Sequence, residues 1–259
     1  MGIDKLIIDI GTHEAQELRV LNGNRAYLLR VYLYWWFDWC KRQVKKIIRY
    51  NGLIEYGTGS FKISPLKLEL NRHLEIFSQI LYPKDYLTNI NVLAIDPVAS
   101  ITTKFLRKIK TTFQIYFLPI AVLPHNQSKD CTLTKFYIER NSLSSSLEQS
   151  NSSKELIICS AFRTKKIINA LLEHEIISPD TEVILRMNCE GSEFGVIKDL
   201  VEEGFVPKLV LGSINDVRKK YGEEEAKKML DFLNLNKIEF KYFKGSDPGT
   251  WGVAFDSLR

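Results

Sequence analysis

IDIGTHEAQEL, residues 8–18, joins the end of an apolar run to a glycine and then to a stretch with helical spacing. The length and isoleucine content of that run, KLIIDI at 5–10, read as a strand buried on both faces, as in a parallel sheet. Thr12 is a suitable helix N-cap, Glu14 and Glu17 put negative charge near the helix start, and Asn22-Gly23-Asn24 ends the helix. A strand ending in an acid (Asp9), then Gly11, then a helix is how a doubly wound sheet builds a ligand site beyond its first strand. The dinucleotide fingerprint G-x-G-x-x-G is absent, which argues against a nicotinamide or flavin dinucleotide. A pyrophosphate needs several backbone N–H groups at a helix N-terminus, and Glu14 and Glu17 would repel it. A cationic ligand suits the turn better, although Glu14 also reads simply as an acid that complements the helix dipole.

Two later stretches share this character. VLAIDP (92–97) is a second buried strand, ending in Asp96. An acid there can accept hydrogen bonds from both hydroxyls of a ribose, but it stands much further along than the ~20 residues usual in such sheets. Asp96 therefore holds that role if residues 24–90 are an excursion from the sheet; otherwise it only starts the turn before Pro97. In LRMNCEGSEFGVIKDL (185–200) a strand runs into a Glu190-Gly191 corner, and Ser192 opens a helix with Glu193 in its first turn. Asn188, Glu190 and Glu193 would cluster at the carboxyl end of a central strand, beside the first motif, though capping alone also explains Glu193.

Around these motifs, helices are expected at 25–50, 65–82, 100–110, 164–173, 192–203 and 216–234. Strands are expected at 114–123, with Pro119 at a bulge or an edge, and at 132–139, 155–161, 182–188 and 208–211. A terminal β pair is expected at 237–244 and 250–255, and the serine-rich stretch 142–153 reads as loop. The alternation implies an α/β fold, a Rossmann-like, mostly parallel sheet with helices on both faces. The 259 residues suit a single domain (1–259) with 24–90 as a helical insertion, a lid or cap.

Composition bounds the rest. With 45% hydrophobic and 26% charged residues the chain is of ordinary globular type. A net charge of +5 is too small to imply nucleic acid unless the basic residues cluster on one face. Cys40, Cys131, Cys159 and Cys189 form no C-x-x-C or finger spacing, so a reduced, cytoplasmic protein without a metal site is expected. The start, MGIDKLIIDIG, has neither the basic beginning nor the long apolar core of a signal peptide. Leu6 stands where a myristoylation motif needs Ser or Thr, and no apolar run approaches the ~20 residues of a membrane span.

Taken in order, the strand-DIG turn (9–11), the strand-Asp-Pro (96–97), the serine-rich NSLSSSL (141–147) and RMNCEGSE (186–193) resemble the layout of the FkbM-type S-adenosylmethionine-dependent methyltransferases. The resemblance covers residues 4–21 and 91–212, and the EGSE corner and the serine-rich loop are its most specific parts. It implies a class I methyltransferase fold, S-adenosylmethionine as cofactor, and O-methylation of a hydroxyl on a sugar or related small metabolite. The sulfonium and amino groups of that cofactor are cations of the kind the acidic turn suits. The resemblance further implies that Asp9, Gly11, Thr12 and Glu14 line the methionine end of the cofactor and that Asp96 takes the ribose. Asn188, Glu190 and Glu193 would face the transfer site. Two positions depart from the family pattern: Asn188 stands where an Asp is usual, and Asn215-Asp216 where a His-Asp pair is common.

Methyl transfer is an in-line displacement at a carbon already activated by the sulfonium, so alignment supplies much of the rate. A hydroxyl acceptor must also lose its proton. His13, Glu190, Asp216 and His125 are the candidate bases; His13 sits on the cofactor turn itself and also reads as a capping residue. His73 and His174 fall on expected helices and read as surface residues. The aromatic run Tyr32, Tyr34, Trp35, Trp36, Phe37 and Trp39, followed by KRQVKKIIR (41–49), admits three readings. It is the buried face of a lid over the acceptor site, a homodimer interface, or an interfacial membrane helix, with Arg30 and Asp38 opposing deep insertion. These aromatics, with Lys104, Arg107, Lys108 and Lys110, keep a non-catalytic nucleic-acid-binding module as the alternative. A regulatory protein that binds the cofactor without turnover is another, and Asn188 is its support.

Overall fold

The run at 5–10 is strand β1 of a computed structural model that describes residues 3–12, 14–50, 64–81, 84, 86–87, 90–110, 114–123, 130–139, 153–189 and 191–258. From the N-terminus the elements are β1 (Lys5–Ile10), α1 (Gln16–Leu21), α2 (Arg25–Tyr50), α3 (Ser64–Leu81), β2 (Asn91–Ile95), α4 (Ala99–Leu106), β3 (Ile115–Leu118), β4 (Ala121–Leu123) and β5 (Cys131–Glu139). There follow β6 (Ser153–Arg163), α5 (Thr164–Glu173), β7 (Glu182–Met187), α6 (Glu193–Glu202), β8 (Leu209–Gly212), α7 (Ile214–Tyr221), α8 (Glu223–Leu235), β9 (Glu239–Tyr242) and α9 (Trp251–Leu258).

Six strands lie side by side in the order β3-β2-β1-β7-β8-β9, and every pairing among them is parallel. Such a sheet needs cover on both faces. The alternation of side chains along each strand meets that need. Ile7, Val92, Ala94, Ile184 and Leu211 point to one face, against Leu18 and Leu21 of α1, Leu28 of α2, Ile76 of α3 and Trp251 of α9. Ile8, Leu93, Leu185 and Val210 point to the other, under α5, α6, α7 and α8. The protein is thus an α/β fold, a parallel six-stranded central sheet with helices around it. Among the described residues no helix is long and apolar enough to cross a membrane.

A second sheet has the order β4-β6-β5, with β4 parallel and β5 antiparallel to β6. The stretch 114–123, expected as one strand, is therefore divided between two sheets. Pro119 has no N–H to offer a ladder. Ile120 turns the chain by donating its N–H to the Leu118 carbonyl at 2.9 Å.

Three further expectations are corrected. Helix α1 starts at Gln16 rather than at Thr12: Ala15 takes a left-handed conformation (φ 51), and the Thr12 hydroxyl donates back to the Asp9 carbonyl at 2.8 Å. The expected helix 216–234 is two helices, broken at Gly222, whose φ of 91 no continuous helix contains. The expected strand 250–255 is helical. Trp251, Ala254, Phe255 and Leu258 are buried at helical spacing, and the Asp247 carboxylate caps the preceding turn by accepting the Gly249 N–H at 3.0 Å.

Gly11, the residue immediately after β1, is held under two constraints. Its φ is +75, and a β-carbon there would stand 2.2 Å from the Asn188 carbonyl oxygen. Gly11→Ala is expected to cost at least about 2 kcal/mol, read from the urea midpoint. An unchanged midpoint would mean that the backbone after β7 gives way without cost.

Candidate functional site

The strand order reverses between β1 and β7, and at such a switch point the connections leave in opposite directions and open a crevice beyond the strand ends. A cleft lies there, with about 470 Å³ of empty space, its open mouth included. Ile10 and Gly11 after β1, Ile95 and Pro97 after β2, Asn188 and Cys189 after β7, and Ser192 and Val196 at α6 line one side. Ile120, Ala121, Val122 and Phe136, from the β3–β4 turn and the second sheet, line the other. The lining is mainly apolar, and no Lys or Arg is among its described residues.

Two backbone donors of the turn after β1 are already engaged and not spare for a phosphate. Gly11 and Thr12 both give their N–H groups to the Ile95 carbonyl, at 2.9 and 3.4 Å. Gly11 is needed for the close approach of the Asn188 carbonyl.

Asp9 sits on the opposite face of the sheet from Ile8 and Ile10, next to Arg186 in the β1–β7 register. Arg186, 2% exposed near the carboxyl end of the apolar strand β7, donates to Asp9 Oδ1 at 2.7 Å and to the Gly11 carbonyl at 3.1 Å. It also pairs with Glu17 of α1. Glu17 in turn accepts the Gly245 N–H at 3.1 Å, and the indole N–H of Trp251 donates to the Gly245 carbonyl at 3.2 Å. Burial alone would loosen the Arg186 proton, but the two carboxylates outweigh it and raise its pKa. Burial pushes the Asp9 carboxyl up, against the pull of Arg186.

The other expected site residues separate into groups. Gly11 and Asn188 line the cleft, while Thr12 is buried behind it and holds the Asp9 carbonyl. Glu14 is half-buried, with Arg19 and Tyr27 as its electrostatic neighbours. Asp96 is buried between the cleft-lining Ile95 and Pro97, and its Oδ1 accepts the Val98 N–H at 2.7 Å. Glu193 is buried in the first turn of α6, where its Oε1 accepts the Cys189 N–H at 2.8 Å. Among the described residues its Oε2 has no hydrogen-bond partner. Asp216 stands in the first turn of α7, 3.7 Å from Lys219 and close enough to Glu193 to act on its titration. His13, Glu190, His125 and the NSLSSSL stretch lie outside the described residues.

The aromatic run divides by direction. Tyr32, Trp35 and Trp39 surround His73 of α3, at ring distances of 6.1, 5.0 and 5.1 Å, and the Tyr32 hydroxyl is 3.2 Å from His73 Nδ1. His73 is thus no plain surface residue; an indole or phenol on each successive turn of α2 makes a slot for it. His174 is exposed, as expected. Among the described residues, none that lines the cleft comes from α2 or α3. Lys104, Arg107, Lys108 and Lys110 are all exposed around the end of α4. No group of three His, Cys, Asp or Glu among the described residues could hold a metal ion.

Sequence reading missed Arg186, although a charge inside EVILRM signals a buried ion pair. It also missed Val122 and Phe136, for which no local signal exists, because the second sheet is built by pairing across distant segments.

Arg186→Met is expected to cost about 3–5 kcal/mol in urea unfolding, since it strands two carboxylates in the core. Glu193 carries a pH signature. Burial raises its folded-state pKa above the ordinary 4.5, against the hydrogen bonds from backbone N–H groups. Its contribution to stability is complete below pH 4.5 and is lost as pH rises through the folded value. Glu193→Gln keeps an acceptor for Cys189, so its urea midpoint is expected to exceed that of the parent at pH 7, with the gap closing toward pH 4.5. A gap independent of pH would show that the carboxylate ionises in the fold at no cost.

No protein-family model, curated protein or solved structure matches the chain.

Proposed function

We propose that the protein is an S-adenosylmethionine-dependent methyltransferase of Rossmann-like fold that methylates a hydroxyl of a sugar or related small metabolite. The cleft at the switch point carries the reading: it is mainly apolar, has no Lys or Arg among its described lining residues, and has the Gly11 and Thr12 N–H groups already bonded. Such a site disfavours a phosphate and suits a flat uncharged base with a cationic tail. Ile10, Ile95, Pro97 and Val122 would hold the adenine by apolar contact, Asp96 the ribose, and Glu14 the methionine end. When bound, the cofactor supplies a methyl group on a sulfonium.

The chain's own residues align the acceptor and take its proton. Asn188 and Ser192 would orient the acceptor hydroxyl from the cleft floor. Asp216, His13 and Glu190 are the groups placed by sequence to accept its proton. Asp9, engaged by Arg186, serves this site by holding β1 against β7 rather than by touching the ligand.

Isothermal titration of the protein with S-adenosylmethionine and S-adenosylhomocysteine is expected to give micromolar dissociation constants. Asp96→Asn keeps an acceptor for the Val98 N–H while removing the charge. It is expected to weaken binding by about 1–3 kcal/mol with little change in the urea midpoint. No binding of either compound to folded protein would overturn the cofactor reading and leave a non-catalytic binding module on this fold.

A further inference from the structure

Helices α2 and α3 run antiparallel: Trp39 and Trp35 meet His73, Tyr32 meets Phe77, and Leu28 lies with Ile76 and Ile80 in the core on the α1 face of the sheet. Beside this contact face each helix leaves an apolar stripe uncovered. On α2 the stripe is Leu29, Leu33, Trp36 and Phe37; on α3 it is Leu74, Phe77 and Leu81. Phe37 is 58% and Leu74 59% exposed, values at which large apolar groups stand in water. At about 100° per residue, both stripes are displaced in the same rotational sense from the contact face. In antiparallel helices that places them on the same side of the pair, as one continuous face.

The charge around this face selects its occupant. Among the residues whose side chains are described, α2 carries Arg25, Arg30, Lys41 and Arg42 against a single acid, Asp38, which is paired with Arg42 at 2.9 Å, and α3 adds Arg72 and Glu75. Arg30 is next in sequence to Leu29, and Lys41 stands one turn beyond Phe37, so both flank the stripe. A second copy of the chain seated here would bring two α2 helices with an excess of basic groups together, and like charges across an interface are repelled. A lipid surface with anionic headgroups answers both features. It takes the Trp and Phe rings at the level of the headgroups and the Lys and Arg side chains above them.

We propose that the α2–α3 pair is a peripheral membrane-binding face that lies on an anionic lipid surface. The apolar stripe enters the headgroup boundary, and Arg30 and Asp38 keep the insertion shallow. This inference stands independently of the methyltransferase reading, because none of the stripe residues lines the cleft.

The test is co-sedimentation of the full chain with phosphatidylcholine vesicles, with and without phosphatidylglycerol. Binding is expected only when phosphatidylglycerol is present, with a blue shift of tryptophan emission, and is expected to weaken in high salt. Trp36→Glu combined with Phe37→Glu is expected to reduce binding at least about tenfold, and Lys41→Glu several-fold. These positions are exposed, so the urea midpoint should hold, and it serves as the control for folding. The proposal is overturned by failure to bind anionic vesicles, or by undiminished binding of the double variant. It is likewise overturned by a dimer in lipid-free sedimentation that the same two substitutions dissociate, which would assign the face to a second copy.

Discussion

A guanidinium in the interior of a parallel sheet must be met by carboxylates, and Arg186 draws them from two separate elements. Asp9 stands beside it in the β1–β7 register, and Glu17 reaches down from α1. Through Gly245 and Trp251 the same chain of polar contacts extends to α9. Removing three charged groups from water is costly, and an apolar trio of similar volume would rival it in stability. What the trio adds is register. A slip of one residue between β1 and β7 would turn Arg186 to the opposite face, among Ile8, Leu185 and Val196, with no carboxylate to meet it. Because β1 and β7 flank the switch point, the shape of the cleft depends on that register.

The parts of the fold that were legible are those in which local pattern and tertiary demand agree. KLIIDI, EVILRM and LVLG are buried parallel strands with the apolar density such strands require, and Thr164–Glu173 is helical across the segment its spacing implies. The losses came where a single residue outweighs a pattern. Pro119 divides one apparent strand between two sheets. Gly222 breaks one charged helix into two. Gly252, inside a stretch that looked extended, hides the helical spacing of Trp251, Ala254, Phe255 and Leu258.

The site was legible as a location but less so as a set of contacts. Strand-end corners at Gly11, Pro97 and Asn188 do converge on one cleft. The direction of Asp9 follows from parity, since Ile8 and Ile10 belong to the core on the α5–α8 face and Asp9 must then point the other way. Its engagement by Arg186 depends on which strand is neighbour to β1, and that is settled by assembly of the whole sheet. The wall supplied by Val122 and Phe136 has the same origin. By contrast, the ambiguity of the aromatic run reflects its actual structure: alternate rings pack inward around His73 and outward into solvent.

Strand β1 has no partner close to it in the chain. It pairs with β2 on one side and β7 on the other, and Lys5 is opposite Glu182. Contacts of such long sequence separation form slowly. On the ribosome, at roughly 5–20 residues per second, Ile7 and Ile8 wait on the order of 10 s or longer for β7 to be made. An apolar strand held open for that time is a nucleus for association between nascent chains. Asp9 interrupts it with a charge, and a carboxylate is costly for an apolar partner strand to bury without a cation to meet it. The carboxylate that later locks the register is, during synthesis, a penalty on any apolar partner other than the strand that carries Arg186.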